Sequence, residues 1–190
     1  IIDSFQKYGC NEFHMIVNYK KNFIKTYFCE IEQNINFIDE ETFLGTGGGL
    51  YLLKDKIKDT IFLTNCDVLI NYDYSKILEH HKQKGNIATV ICVEKNQHLP
   101  YGVIDIDKDG NIIEMKEKPK FSFVINTGIY IIEPKFLEYI PQNTFIHITE
   151  IIEKCIKLGE SIGTYILKEE DWLDMGQFDE LEKMKERLEI

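Results

Sequence analysis

The chain has 190 residues, with 22 Lys+Arg against 32 Asp+Glu, a net charge of −10. Hydrophobic residues make up 44% and charged residues 28%, a globular balance that excludes bulk disorder. A net acidic chain binds nucleic acid and anionic lipid poorly, and no run of 18 apolar residues is present to span a membrane, so neither partner is expected.

One domain of this length buries roughly 70% of the surface its unfolded chain exposes, and 1–190 reads as a single domain. Cys10, Cys29, Cys66, Cys92 and Cys155 form no C-x-x-C pair. Their odd number fits reduced, mostly buried thiols in a cytoplasmic protein. The histidines show no H-E-x-x-H spacing, so no zinc site is expected, and there is no secretory signal.

Ile1, Ile2, Phe5 and Tyr8 read as an amphipathic helix that opens without a cap. Phe13 to Tyr19 is strand-like, and a helix follows over about 20–29. Ile35 to Ile38 is a short strand. Gly45-Thr46-Gly47-Gly48-Gly49 turns into a helix through Lys56. Thr60 to Asn65 is an apolar strand. Asp73 caps a helix that Gly85 ends. Ile87 to Val93 is the next strand, continuously apolar as a doubly covered parallel strand would be. From Tyr101 the period changes to alternation, and Asp109-Gly110 marks a hairpin turn. Phe121 to Ile132 holds a long strand. Helices follow near 134–140 and 148–158, a strand over 161–167 and a terminal helix over 178–188. The βαβα first half predicts a parallel core, and the middle predicts an added antiparallel portion.

Four stretches could carry chemistry. Glycines in Leu44-Gly45-Thr46-Gly47-Gly48-Gly49 let backbone approach a ligand, and free N–H groups at a helix start favour an anion or a base edge. Asp67 of Asn65-Cys66-Asp67 ends an apolar strand, where open α/β sheets bind ligands and where a carboxylate suits Mg²⁺. In Glu117-Lys118-Pro119 an acceptor stands beside a compact cation. Asp174 of Trp172-Leu173-Asp174-Met175-Gly176 could complete a metal site with Asp67. Asp105, Asp107, Asp109 and Gly110 mimic the start of a calcium loop, but its twelfth position is Lys116 rather than Glu.

Taken in order, these pieces resemble the sugar-1-phosphate nucleotidyltransferases. The residues that carry the likeness are Leu44 to Gly48, Asn65 to Asp67, Tyr101-Gly102-Val103, Glu117 to Pro119, Asn126-Thr127-Gly128-Ile129-Tyr130 and Trp172 to Gly176. The resemblance implies the nucleotide-diphospho-sugar transferase fold: a Rossmann-like three-layer α/β/α with a mixed, mainly parallel sheet and an added antiparallel portion. It implies transfer of a nucleoside monophosphate from an NTP to a sugar 1-phosphate, with Mg²⁺ as cofactor. By the same likeness Asp67 and Asp174 are the metal ligands, and Lys118 joins them as catalytic. Glu40, Gly45, Thr46, Gly47 and Asn65 hold the nucleotide. Tyr101, Gly102, Glu117, Lys118 and Asn126 hold the sugar phosphate.

The family signature G-G-x-G-x-R-x-x-P with its downstream K-P does not occur here. The family pattern therefore implies that the first βα unit is absent and that the 190 residues alone are inactive. The family's base-reading position falls on Glu40. A carboxylate accepts both adjacent donors of guanine, so GTP is the expected nucleotide. Leu44-Gly45-Thr46-Gly47-Gly48 is also similar to heptose-1-phosphate and related guanylyltransferases. Competing readings are a catalytically impaired NDP-sugar-sensing module and a glycosyltransferase of the same fold, which would carry D-x-D where Asp67 is followed by Val68-Leu69. A homo-oligomer or an upstream regulatory domain is compatible with the sequence.

Overall fold

The structure is a computed structural model, described for residues 1–176; the helix expected over 178–188 lies outside that range. The described residues contain four α-helices: α1 (Ile2–Gln6), α2 (Lys21–Glu30), α3 (Tyr74–Lys84) and α4 (Ile148–Lys157). Asp73 caps α3 by accepting the Ser75 N–H at 3.0 Å, and Gly85 ends it in the left-handed conformation with φ 63°. The stretches Gly48–Leu53 and Pro134–Tyr139 form 3₁₀ helices instead of the expected α-helices. Each has six residues, too few for a stable α-helix without strong propensity, and glycine opens the first.

The strands are β1 (His14–Val17), β2 (Asn36–Asp39), β3 (Ile61–Thr64), β4 (Val68–Ile70), β5 (Ala88–His98), β6 (Val103–Ile106), β7 (Ile112–Lys116), β8 (Lys120–Ile132), β9 (Ile162–Lys168) and β10 (Trp172–Asp174). The main sheet has the order β3-β8-β5-β9. β3 and β5 are both antiparallel to β8, so they run parallel to each other with β8 between them. β5 and β9 pair in parallel. The sheet is mixed as expected, but among the described residues antiparallel pairings outnumber parallel ones. The reason is the position of β8: continuous apolarity reports cover on both faces, which a central antiparallel strand has as well. β1 and β2 form a separate parallel pair, and β4 and β10 a short antiparallel one.

Alternation along β8 divides the core. Tyr130 and Ile132 join Leu50, Leu53, Phe136, Leu137, Ile148, Ile151 and Cys155 on one face of the sheet. Ile129 and Ile131 join Phe5, Val68, Ile70, Tyr74 and Ile77 on the other. A sheet with helical cover on both faces is the three-layer arrangement. Of the cysteines only Cys92 and Cys155 are buried, whereas Cys29 and Cys66 are exposed, which corrects the expectation of mostly buried thiols. Burial pushes the Cys92 and Cys155 thiols up, which keeps them protonated and inert.

At the end of the sheet away from the β3–β4 loop, His81 is fully buried. Its Nδ1 lies 2.7 Å from Thr89 Oγ1 and its Nε2 3.0 Å from Glu133 Oε1, which also accepts the Thr60 hydroxyl at 2.7 Å. Asn86 Nδ2 donates to Thr89 Oγ1 at 3.0 Å. In contrast, β5 and β8 run on together as a ribbon that carries the β6–β7 hairpin, and no residue from 94 to 126 is buried.

Candidate functional site

The β4–β10 pair builds the centre of the site. Asp174 lies opposite Val68, and Met175 N–H donates to Asp67 C=O at 2.8 Å. Asp174 Oδ1 accepts the Gly176 N–H at 2.8 Å. A Cβ on Gly176 would lie 3.0 Å from Asp174 Oδ1 and 3.8 Å from Asp67 Oδ2. Two carboxylates 107 positions apart in the chain therefore face one small space that glycine leaves open. Buried Val68, Ile70 and Leu173 anchor the pair. Neither strand has a period of its own in the sequence; Val68-Leu69-Ile70 and Trp172-Leu173 are their apolar signal.

Asn65 and Asn126 both engage Gly128, at a bulge in β8. The β5–β8 register steps from Ile91↔Ile129 to Cys92↔Asn126, which pushes Thr127 and Gly128 out as a bulge. The Thr127 hydroxyl fastens it to Ile91 C=O at 2.8 Å. Gly128 has φ +82°, and a Cβ there would lie 2.7 Å from Asn65 Nδ2. Asn126 accepts the Gly128 N–H and donates to the Tyr130 hydroxyl at 2.7 Å. The bulge thus seats Asn65 and fixes the Asn126 amide.

The Gly-rich loop forms a second patch. Glu40, only 6% exposed, accepts the Leu44 N–H at 3.2 Å, and its Oε1 would lie 2.8 Å from a Cβ on Gly49. Gly47 and Gly48 N–H groups both donate to Ile146 C=O, at 3.0 and 3.2 Å. Buried Gly47 therefore holds the loop to the chain before α4; its amide is not the free donor expected from the sequence. Gly45, with φ +78°, packs so closely that a Cβ would lie 2.7 Å from Ile146 O. Thr46 Oγ1 accepts Ile148 N–H at 3.2 Å and so caps α4. The Gly45 and Thr46 N–H groups make no hydrogen bond among the described residues.

A hollow of about 450 Å³ adjoins this patch, lined by Asn18, Lys20, Lys21, Asn22 and Phe23. Asn18 donates to Glu40 C=O at 2.9 Å, and Lys21 lies 3.6 Å from Asp39 and 3.4 Å from Glu41.

The third patch is at the root of the hairpin. Gly102 lies against Glu117, whose Oε2 would be 3.3 Å from a Cβ there. Leu99 N–H donates to Pro119 C=O at 3.2 Å. Lys118 adopts a left-handed backbone, φ 44°, and Tyr101 is 74% exposed. Among the described residues no hydrogen bond or ion pair links Glu117 or Lys118 to Asp67, Asp174, Asn65 or Asn126. The structure places the expected residues in three groups, and among the described residues no hydrogen bond joins one group to another.

The family model described as "Nucleotidyl transferase" matches residues 2–189. The chain belongs to the nucleotidyl transferase family. It is 30% identical over 189 residues to mannose-1-phosphate guanylyltransferase 1 of Arabidopsis thaliana, covering 93% of this chain and 51% of that protein. It is 31% identical over 188 residues to mannose-1-phosphate guanyltransferase 2 of Candida glabrata, with the same coverage. The chain spans about half the length of these curated relatives. Among solved structures, HddC from Yersinia pseudotuberculosis, also determined complexed with GMP-PN, superposes with a TM-score of 0.73 at 21% identity over 98% of this chain and 83% of that one. That likeness establishes the fold.

Proposed function

We propose that this chain forms part of a sugar-1-phosphate guanylyltransferase, which moves GMP from GTP to a sugar 1-phosphate. The observation that carries the reading is the convergence of Asp67 and Asp174 on the space beside Gly176. Two carboxylates facing one opening are a fitting donor set for Mg²⁺, which takes one or two carboxylates and completes its shell with water and phosphate oxygens. Mg²⁺ held there would neutralise charge on the triphosphate and align it.

The chain's own residues supply the rest. A phosphate oxygen of the sugar phosphate attacks the α-phosphorus of GTP, and the bond from that phosphorus to the bridging oxygen of pyrophosphate breaks. Lys118 meets the phosphate of the incoming sugar phosphate, while Glu117 and Asn126 accept and orient sugar hydroxyls. Tyr101 and Gly102 wall the sugar side, and Asn65 faces the nucleotide. The free N–H groups of Gly45 and Thr46 face the ribose and base, and the Glu40 carboxylate accepts from the guanine edge. Such catalysis consists mainly of alignment and charge stabilisation. The names of the relatives, and the HddC complex with GMP-PN, support guanine over other bases. A GTP-dependent reaction and free thiols support a cytoplasmic setting.

The sequence contains one arginine, Arg187, and no G-G-x-G-x-R segment. The chain by itself is therefore expected to bind nucleotide without turnover. Trp172, the only tryptophan, lies two residues from Asp174 and reports binding by its fluorescence. GTP is expected to change that signal only with Mg²⁺ present, and Asp67→Asn or Asp174→Asn to abolish the Mg²⁺ dependence. An unchanged Mg²⁺ response in both variants would overturn the metal assignment. Tighter binding of UTP, dTTP or CTP would remove the guanine assignment, and robust turnover by these 190 residues would refute the expected inactivity.

A further inference from the structure

We propose that Tyr130 is a positioning residue for the sugar side of the site: its buried hydroxyl fixes how the Asn126 amide meets the hydroxyls of a sugar 1-phosphate. The inference rests on the role given to Asn126 above and adds a residue which that reading does not use. Asn126 is exposed, yet its amide is held at both ends. Oδ1 accepts the Gly128 N–H at 3.0 Å, and Nδ2 donates to Tyr130 Oη at 2.7 Å. A backbone N–H can only donate, so the bonds themselves tell the oxygen end from the nitrogen end. One N–H and one lone pair of the amide are left for a ligand. Tyr130 is 4% exposed and packs in the core, which makes it a firm anchor. Burial pushes its phenol up, so at neutral pH the acceptor is an uncharged hydroxyl.

The bulge in β8 is what lets the two side chains meet. Along a regular strand, residues four apart share a face but lie about 13 Å from each other. Here Tyr130 pairs with Val90, Ile129 with Ile91 and Asn126 with Cys92. Asn126 therefore stands two ladder positions from Tyr130, on the same face of the sheet. Thr127 and Gly128 take up the extra chain. The Thr127 hydroxyl donates to Ile91 C=O at 2.8 Å and accepts the Ile129 N–H at 3.3 Å, and Gly128 supplies the turn with φ +82°. Among the described residues, the Tyr130 hydroxyl makes no hydrogen bond other than the one to Asn126. The ring alone fills the core, so phenylalanine would serve packing equally well. The hydroxyl acts on the exposed amide, which it holds ready before a ligand arrives.

Calorimetric titration of the chain with glucose, galactose and mannose 1-phosphates tests this, with inorganic phosphate as the probe that lacks a sugar ring. Tyr130→Phe is expected to weaken the hexose 1-phosphate that binds best by about three- to tenfold, the scale of one hydrogen bond. Inorganic phosphate and Mg²⁺–GTP are expected to bind as before. In an Asn126→Ala background Tyr130→Phe is expected to have no further effect on hexose 1-phosphate, because the hydroxyl acts through Asn126. If Asn126→Ala weakens hexose 1-phosphate and Tyr130→Phe does not, the positioning role is overturned while the proposed function stands. If the parent chain binds no hexose 1-phosphate, or Asn126→Ala leaves that binding intact, the sugar-site reading fails and the inference falls with it. Equal losses for hexose 1-phosphate, phosphate and GTP in Tyr130→Phe would show a general structural defect and also overturn the proposal.

Discussion

Gly176 is where the candidate site is most sensitive to a single atom. A Cβ there meets Asp174 Oδ1 at 3.0 Å, so Gly176→Ala must shift a carboxylate that faces Asp67. Mg²⁺ affinity is expected to fall about tenfold, as when a supporting contact to a metal ligand is lost. Global stability should not change, because Gly176 is exposed. The Trp172 titration and a thermal melt read the two effects separately. Glu40→Gln separates the two roles of that residue. Glutamine still offers an oxygen to Leu44 N–H, so the loop is retained, but it loses the paired acceptor that suits guanine. The GTP preference over UTP is expected to narrow by about tenfold, as competition binding would show. His81→Phe strands Thr89 and Glu133 without their shared partner. It is expected to cost about 2–3 kcal/mol, read from the urea midpoint.

At the scale of elements, Thr46 ties the Gly-rich loop to a helix 102 positions later in the chain. Thr46→Val is expected to destabilise the fold by about 1 kcal/mol through the lost cap on α4, measurable by thermal unfolding. Much of the secondary structure was legible in the sequence where the signal is local. Asp73 and Gly85 bound α3 as expected, and Asp109-Gly110 joins β6 to β7. What stayed hidden depends on pairing between distant segments. β4 and β10 have three residues each, too short for a period, and exist through each other. The role of Gly47 was hidden for the same reason, since the carbonyl that engages its amide belongs to Ile146. The glycine run was visible, but not the fact that much of it serves packing against 144–148. Asp67 stands out by its place at a strand end, and both aspartates by the family likeness; their convergence requires β4 to meet β10.

For the whole molecule, several carboxylates are held below their ordinary range by local partners. Asp73 is lowered by the Ser75 hydroxyl, Asp107 by Asn111, Glu160 by Lys135 and Asp39 by Lys25. A carboxylate depressed on folding contributes stability above its unfolded pKa and loses it as pH falls through the lower folded value. The fold is therefore expected to hold its stability at neutral pH and to lose it below about pH 4, which urea midpoints against pH would show. At the alkaline end, burial first and then the Tyr72 hydroxyl push Tyr165 up to about 12. A phenol raised on folding stabilises below its unfolded value, so that contribution fades between about pH 10 and 12.

The separation of β1–β2 from the main sheet also has a kinetic consequence. Four residues in each strand pair with one another, and among the described residues no ladder joins them to β3-β8-β5-β9. A short strand pair with no ladder to its neighbours can detach and reseat while they stay closed. Amide protons of 14–17 and 36–39 should therefore exchange with deuterium well before those of 88–93 and 129–132, and a protease at low concentration should nick the chain first near Lys20 and Lys21.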